Sequence, residues 1–459
     1  MSPQTHPQAK HPDSIGELRL SEVIGALSYA LDLTEGQPAG HCIRCCWIGM
    51  HIGKMLGMHQ NDLWDLYYTL LLKDAGCSSN AARLYELYGS DERRIKHDFK
   101  TVNGDNLKEI ARFVFANVDS SGGLVKKMQR LTNLVVHGEK FADELVETRC
   151  ERGADIAMRL GFNEKIADGI RYLDEHWNGQ GRPYHIRGDR IPIHSRIALL
   201  AQVIDVFFQA AGQDAAEAEV HKRRGSWFDP ELVDVFMVLR HDQPFWQQLA
   251  DDNIQLTIQN MAPESEPVML SEERLDDITA AFGMIVDSKS PYTFNHSSRV
   301  AQYTLAIAEE LGVPVSRQHF LRRGAFLHDI GKLGVSNDIL DKPGKLDEAE
   351  WQAVRDHAKY TEVILSHLSP FAELAKVAGA HHERLDGGGY PYGLTANEIC
   401  LETRIITVAD IFDAITAARP YRGAIPVDRS IEIMRKEVHT AIDEAVLDAL
   451  VARLPTLDV

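Results

Sequence analysis

The chain has 459 residues, of which 44% are hydrophobic and 25% charged, and a net charge of −18 at pH 7. This length is sufficient for two or three domains, each with its own core. The acidic charge argues against a nucleic-acid polymer as partner, because such binding needs a basic face. No apolar run approaches the ~20 residues of a membrane span, so no membrane contact is expected.

The first residues, 1–14, are polar, rich in proline and lack an apolar signal core, which predicts a flexible tail and a cytoplasmic protein. Helical periodicity then dominates, for example in ELRLSEVIGALSYALDL at 17–33. No alternating pattern predicts a sheet, so the fold class is all-α. The CxxC spacing in HCIRCC, at 41–46, has no second cysteine pair, so free thiols are expected there.

Residues 251–270 contain two prolines and lose the helical period, which predicts a linker. The linker divides the chain into a first domain at 15–250 and a second domain at 271–459. The first domain also carries a helical segment of roughly fifty residues, near 80–140, that has no counterpart in the second. We interpret this segment as an insertion.

The two domains align with each other. Four matches occur in the same order: LDLTEGQPAGHCIR (31–44) with VDSKSPYTFNHSSR (286–299), KDAGC (73–77) with HDIGK (328–332), EHWNGQGRPY (175–184) with HHERLDGGGYPY (381–392) after a two-residue deletion, and SRIALLAQ (195–202) with TRIITVAD (403–410). Chance could produce one such match, but four in order indicate a duplicated helical domain.

The second copy carries histidines and aspartates that a single helix cannot bring together but a helical bundle can. They are His296, His328, Asp329, His357, His381, His382 and Asp410. Seven nitrogen and oxygen ligands with one bridging carboxylate suit two divalent ions, and their hardness favours manganese or iron. Two such ions ~3.5–4 Å apart activate a shared water and clamp both oxygens of an in-line phosphoryl displacement.

Three motifs in this copy, HDIGK, HHERLDGGGYP and VADIFDAITAARPYR, together resemble the HD-GYP phosphodiesterases of the HD-domain metal phosphohydrolases. The resemblance implies an all-α fold with two tandem HD-type helical-bundle domains, the first degenerate and the second an intact HD-GYP domain. It also implies hydrolysis of a cyclic dinucleotide, either 3′,3′-cyclic GMP-AMP or cyclic di-GMP, to a linear 5′-phosphorylated dinucleotide.

By the same resemblance the seven residues above are metal ligands, with Asp329 bridging two divalent ions. Iron or manganese is expected, with magnesium, nickel, cobalt or zinc as alternatives. Some relatives bind a third metal through a glutamate four residues before the first histidine. That position is Tyr292 here, so two ions are expected.

The resemblance further implies that Asp329 and Lys332 are catalytic. Lys332, Arg419 and Arg422 match positions that contact the substrate, and Tyr390 lies in a loop flanking the pocket. The implied mechanism is attack on phosphorus by a hydroxide that bridges the two metals. Lys332 and the metals would then stabilise charge on the non-bridging oxygens.

In the first copy most ligand positions are changed, which predicts a catalytically inactive domain. His41, Asp74 and His176 persist, whereas the others are replaced: Lys73 for His328, Cys150 for His357, Glu175 for His381, Gln202 for Asp410 and Cys77 for Lys332. The ammonium of Lys73 can pair with Asp74 or Glu175 and supply the charge of a missing ion. Dimerisation, packing against the active copy and ligand sensing are all open as its role.

Two other functions are compatible with the sequence. The first is a non-catalytic module that binds nucleotide or partner proteins and keeps its metals only as structure. The second is a general HD nucleotidase acting on mononucleotides, which the GYP motif disfavours. Lys332 favours an enzyme over a module, because a scaffold has no need of phosphate-binding charge in a pocket.

Overall fold

A computed structural model describes residues 18–102, 107–118, 123–263, 268–418 and 422–457. Within these ranges the chain is helical and its β structure is confined to isolated bridges, which confirms the all-α prediction. No helix in the described ranges has both the length and the apolar character that a membrane crossing requires. The tail predicted at 1–14 and the predicted substrate contact Arg419 lie outside these ranges.

In the described part of the first copy and of the segment that follows it, nine helices lie wholly outside the insertion. They are α1 (Leu20–Thr34), α2 (His41–Met55), α3 (Gln60–Leu72), α8 (Glu164–Arg171), α9 (Ile193–Ala211), α10 (Gln213–Lys222), α11 (Pro230–Leu239), α12 (Gln243–Leu249) and α13 (Ile254–Asn260). The segment predicted as an insertion contributes α4 (Ala81–Tyr88), α5 (Glu92–Lys100), α6 (Leu107–Asn117) and the first half of α7 (Gly123–Arg159).

The second copy repeats the same order of helices without the insertion. It contains α14 (Glu272–Asp287), α15 (His296–Glu310), α16 (Val315–Leu327), α17 (Asn337–Leu340), α18 (Glu348–Ser366), α19 (Ala372–Gly379), α20 (Leu401–Thr416), α21 (Val427–Arg435) and α22 (Glu444–Arg453). In the first copy α2 packs against α3 and α9, and in the second α15 packs in the same way against α16 and α20.

A buried aspartate at the end of the first helix fixes the start of the second helix in each copy. Asp287 accepts hydrogen bonds from the backbone N–H and the hydroxyl of Ser297. Asp32 accepts from the backbone N–H groups of Gly40 and Cys42. Each carboxylate therefore satisfies donors that a helix N-terminus leaves free. This shared role explains why the two aspartates align in the sequence.

An apolar core cluster spans both copies, and a second cluster, which includes Val300 and Phe412, lies within the second copy. Ile278 and Phe282 of α14 belong to the same buried cluster as Val23 and Leu27 of α1. Helix α1 also packs against α18 and against the 3₁₀ turn Ile330–Gly334 of the second copy. Helix α14 packs in the same way against the equivalent 3₁₀ turn of the first copy, Cys77–Asn80. Each copy therefore buries its first helix against the other.

The prediction that 251–270 is an irregular linker is wrong for residues 254–260, which form α13. Ile254 and Ile258 are buried, and α13 packs against α1 and α2. Their spacing of four residues places both on one helical face, a pattern too short to stand out beside the two prolines. Leu270 then donates a backbone hydrogen bond to Leu18, so this segment is part of the core packing.

We expect Phe282→Ala to destabilise the protein by about 3–5 kcal/mol, because it opens a cavity in the core shared by both copies. Phe294→Ala is the matched control, since that ring is 72% exposed. Urea unfolding followed by circular dichroism measures both changes. Equal stability of the two variants would contradict a shared core at Phe282.

Candidate metal centre

All seven predicted ligands converge on one buried place in the second copy. His296 is the first residue of α15, His328 directly follows α16, and Asp329 precedes the 3₁₀ turn. The other four come from or follow α18, α19 and α20: His357, His381, His382 and Asp410. Helices far apart in the sequence thus supply one or two residues each.

Asp329 lies between two groups of imidazoles. Its Oδ2 atom is 3.4 Å from His296 Nε2 and 3.3 Å from His328 Nε2. Its Oδ1 atom is 3.4 Å from His357 Nε2 and 3.7 Å from His381 Nε2. Each carboxylate oxygen therefore faces a different group, as a bridging ligand requires.

Asp410 and His382 complete the two groups. Asp410 Oδ1 lies 3.4 Å from His296 Nε2 and 3.9 Å from His328 Nε2. His382 belongs with Asp329, His357 and His381, and the candidate ligand atoms of each group lie within 4.8 Å of one another. The chain offers one set of three residues and one of four, and the second set contains the shared carboxylate.

Hydrogen bonds at the opposite ring nitrogens orient these imidazoles. His328 Nδ1 lies 2.7 Å from the carbonyl oxygen of Ala325, and His381 Nδ1 lies 2.6 Å from that of Ala378. His357 makes the same contact to Val354. Because the Nδ1–H of a neutral ring donates to the carbonyl, the lone pair of Nε2 points toward Asp329, which is the arrangement of metal-binding histidines.

The electrostatics of the site favour neutral rings at His357 and His381, a protonated ring at His296 and an ionised carboxylate at Asp329. Burial lowers the pKa of His357 to about 4 and that of His381 to about 3. Burial alone would raise the pKa of Asp329, but the charges of His328 and Lys332 hold it well below its usual range. Burial opposes the protonation of His296, yet the nearby carboxylates of Asp329 and Asp413 raise its pKa to about 9.

These residues fit divalent ions. Within the described chain, His296 Nε2, His328 Nε2 and Asp329 Oδ1 are buried without a hydrogen-bond partner, although each faces other potential ligands. Buried polar atoms are normally satisfied, so this cluster is consistent with a cation that all of them contact. The donors are imidazole and carboxylate without thiolate, which excludes a structural zinc site built from cysteines.

A glycine permits the close approach on which the cluster depends. A Cβ atom at Gly331 would lie 2.0 Å from the carbonyl oxygen of His357 and 2.7 Å from the backbone nitrogen of Thr361. Because Gly331 has no side chain, α18 can pack closely against the turn that follows Asp329. This contact brings His357 to the other ligands.

The GYP loop is held beside the cluster by Glu383, a residue that sequence reasoning did not single out. Its buried carboxylate accepts hydrogen bonds from the backbone N–H groups of Tyr392, at 2.6 Å, and Leu394, at 2.8 Å. The ring of Tyr390 then packs against that of His382, with centroids 4.8 Å apart. Tyr390 therefore lies beside the cluster.

A cavity of about 110 Å³ opens onto the cluster. Its lining includes His296, Asp329, Lys332 and Tyr292. Lys332 lies in the 3₁₀ turn after α16 rather than on a continuing helix, and its Nζ is 2.5 Å from Asp329 Oδ2. A phosphate in this cavity would meet the lysine and the cluster together. Arg422 does not line the cavity and donates instead to the carbonyl oxygen of Ala414, at 2.7 Å.

Asp413 is a second residue that sequence reasoning missed. It accepts from His296 Nδ1 at 2.7 Å and from the guanidinium of Arg299 at 2.5 and 2.9 Å. It follows Asp410 by three residues on α20, so both face the same side of the helix. The first copy has the equivalent pair, with Asp205 accepting from His41 at 2.6 Å. This repetition is the signal that could have found it.

The first copy replaces the cluster with internal ion pairs. Lys73 Nζ is hydrogen-bonded to the carboxylate of Asp74 and lies 3.2 Å from Gln202 Oε1, and all three residues are buried. The two charges set each other's protonation: Asp74 raises the pKa of Lys73, and Lys73 lowers that of Asp74, although burial opposes both shifts. Of the two predicted partners of Lys73, the structure selects Asp74 over Glu175.

The predicted match of Cys150 to His357 is wrong. A Cβ at Gly76, the counterpart of Gly331, would meet the carbonyl oxygen of Arg149 at 1.9 Å, just as Gly331 meets that of His357. Arg149 therefore occupies the His357 position.

The predicted two-residue deletion in the GYP region is also wrong. Glu175 accepts from the backbone N–H of Tyr184 at 2.7 Å, so it corresponds to Glu383 and not to His381. In this register Asp174 takes the position of His382, while His176 stacks on Trp227. Asp174 forms an ion pair with Arg149, so two former ligand positions now neutralise each other.

A family model described as HD domain matches residues 100–232 and 281–446, which together make up more than half of the chain. The chain belongs to the HD domain family. HD-domain phosphohydrolases use divalent metals, and the two groups around Asp329 are candidate ligand sets for them.

Similar proteins match either nearly the whole chain or a part of it. The 3′3′-cGAMP-specific phosphodiesterase 3 of Vibrio cholerae is 53% identical over 94% of each chain. A crystal structure of a cyclic GMP-AMP-specific phosphodiesterase of V. cholerae superposes with a TM-score of 0.66 at 49% identity, covering 96% of this chain and 98% of that one. A cyclic di-GMP phosphodiesterase of Thermotoga maritima is 36% identical over 37% of this chain and 47% of its own. The HD-GYP resemblance drawn from the motifs is confirmed.

In the first copy we expect Lys73→Met to destabilise the fold by about 3–5 kcal/mol, because it leaves the Asp74 carboxylate buried without its partner. The double variant Lys73→Met/Asp74→Asn should recover most of this loss, since it removes both charges. The free energy of unfolding in urea measures both. A double variant no more stable than the single one would contradict the pairing.

Proposed function

We propose that this protein is a metal-dependent phosphodiesterase of the HD-GYP type that hydrolyses a cyclic dinucleotide to a linear 5′-phosphorylated dinucleotide. The observation that carries the proposal is the bridging position of Asp329, between two groups of imidazoles and beside Lys332. The active site lies in the second copy. The first copy, with its internal ion pairs, is proposed to be catalytically inactive.

For the substrate we propose 3′,3′-cyclic GMP-AMP, with cyclic di-GMP as the second candidate. The relative that spans 94% of this chain is specific for 3′3′-cGAMP. The cyclic di-GMP relative from T. maritima matches 37% of it. The match to this relative includes both copies, which supports the same substrate for a chain with the same tandem arrangement.

The proposed cofactors are two divalent ions, iron or manganese. His296, His328 and Asp410 would hold one, and His357, His381 and His382 the other, with Asp329 contacting both. Such ions supply an activated water and neutralise charge on the phosphoryl oxygens. Tyr292, at the position of a possible third-metal glutamate, lines the cavity and supports two ions rather than three.

The chain's own groups have distinct proposed roles. The Lys332 ammonium faces the cavity and would bind a non-bridging phosphate oxygen, where a point charge stabilises the developing negative charge. Tyr390 would border the substrate. Arg419 and Arg422 are proposed to contact phosphate or base, a role suited to a guanidinium fork. For Arg422 this requires release from the carbonyl of Ala414.

The alternative, a non-catalytic module with structural metals, has no support among the relatives named above, which are all phosphodiesterases. The predicted cytoplasmic location, and the predicted homodimer or partner contact through the first copy, stay predictions.

Product analysis by liquid chromatography and mass spectrometry tests the activity. Protein loaded with manganese or iron is incubated separately with 3′,3′-cyclic GMP-AMP and cyclic di-GMP. We expect linear products, faster from the first substrate, and no turnover by Asp329→Ala at unchanged helicity. Asp205→Asn, in the inactive copy, should retain turnover. A wild-type protein with two bound metals and no product from either substrate would refute the enzyme.

Metal affinity is expected to fall 10–100-fold in Asp413→Asn, because His296 loses the carboxylate that orients its ring. The matched variant is Asp205→Asn, which removes the equivalent carboxylate from His41 in the first copy. Titration with manganese followed by calorimetry compares them. Equal affinities in the two variants would argue against His296 as a ligand.

A further inference from the structure

A residue of the first copy reaches into the second. Glu92, the first residue of α5 in the insertion, is fully buried. Its Oε1 atom accepts a hydrogen bond from Lys289 Nζ at 2.9 Å. Its Oε2 atom accepts from the backbone N–H of Asn337 at 2.9 Å and from the hydroxyl of Ser336 at 3.0 Å. One carboxylate thus joins two segments of the catalytic copy that are remote in sequence.

Both segments form walls of the cavity above the metal cluster. Lys289, Ser290, Tyr292 and Thr293 line one side, and Leu340 lines the other. The two walls are also joined directly, because the side chain of Asn337 donates to the carbonyl oxygen of Lys289 at 2.7 Å. The carboxylate of Glu92, which is not among the lining residues, therefore connects the two lining segments.

The same face of α5 is anchored in the first copy. Lys96 and Lys100 follow Glu92 by one and two helical turns, so the three side chains share a face. Lys100 Nζ lies 2.8 Å from the buried carboxylate of Glu35, and Lys96 Nζ lies 3.5 Å from it. Lys96 also donates to the carbonyl oxygen of Cys77, at 2.6 Å. Cys77 begins the 3₁₀ turn that corresponds to Ile330–Gly334 in the second copy.

We propose that Glu92 is a positioning residue for the substrate cavity of the catalytic copy, held in place by the contacts of α5 with Glu35 and Cys77 of the first copy. The inference rests on the proposed function, because it assigns the cavity to the cyclic dinucleotide. It gives the inactive copy a physical role, since that copy supplies a fixed carboxylate that sets the spacing of the two cavity walls.

The predicted effect is on substrate binding rather than on the metals. Without the Glu92 charge, Lys289 is left as an uncompensated buried cation, so its segment must move toward water. The candidate ligands are held by separate contacts, such as those of His296 to Asp413 and of His328 to Ala325. KM should therefore change while metal content does not.

Glu92→Gln keeps the size of the side chain and removes its charge. We expect KM to rise on the order of tenfold, which corresponds to a loss of about 1.4 kcal/mol in substrate binding. We expect kcat to change by less than about twofold and two metals to remain bound. Hydrogen–deuterium exchange should quicken at 289–293. The control is Glu86→Gln, an exposed carboxylate of α4 in the same insertion, which should alter none of these quantities.

The double variant Glu92→Gln/Lys289→Met separates positioning from general damage. It leaves no unpaired buried charge, so KM and the exchange of 289–293 should return toward wild type. An unchanged KM and unchanged exchange in Glu92→Gln would overturn the proposal. So would loss of bound metals or a fall in kcat at constant KM. If wild-type protein turned over neither nucleotide, the proposed function would fail, and exchange at 289–293 would still show whether Glu92 holds the wall.

Discussion

Both copies bury a carboxylate at the same place in the fold, and the need to compensate its negative charge determines which side chains surround it. A buried, unpaired carboxylate is too costly to retain, so it must have partners of opposite charge or donors. Asp329 has four imidazoles and a lysine around it. Asp74 has the adjacent Lys73. The choice of partner separates a candidate metal centre from a closed ion pair.

The framework beneath these carboxylates is the same in both copies. Gly331 and Gly76 allow the same close helix approach, and Glu383 and Glu175 hold the same loop. These contacts maintain the framework without metal ligands, because they consist of backbone packing and of hydrogen bonds to the two glutamates. This independence explains how the first copy lost its ligands and kept its structure. Substituted cations, as at Arg149, took over the charge balance.

The copies function as one structural unit. Their first helices are buried against each other's turn, and one apolar cluster contains residues of both copies. The segment between them is packed rather than free, as α13 shows. In a packed arrangement of this kind, a side chain of one copy can hold a segment of the other copy in place. The buried contact between Glu92 and Lys289 lies next to the cavity of the second copy.

The sequence by itself determined the helical class, the duplication and the seven candidate ligands, because short motifs with fixed spacing carry that information. Only the tertiary structure decided how the ligands divide around Asp329, since this division depends on side chains from five separate segments. It also decided how the first copy aligns with the second. Once the ligand residues are changed, sequence matching alone cannot locate a gap in this alignment, whereas an equivalent hydrogen bond, such as that of Glu175, shows which residues correspond. Glu92 could be found only in the folded chain, because its partner Lys289 lies more than a hundred residues away and no repeat marks the contact.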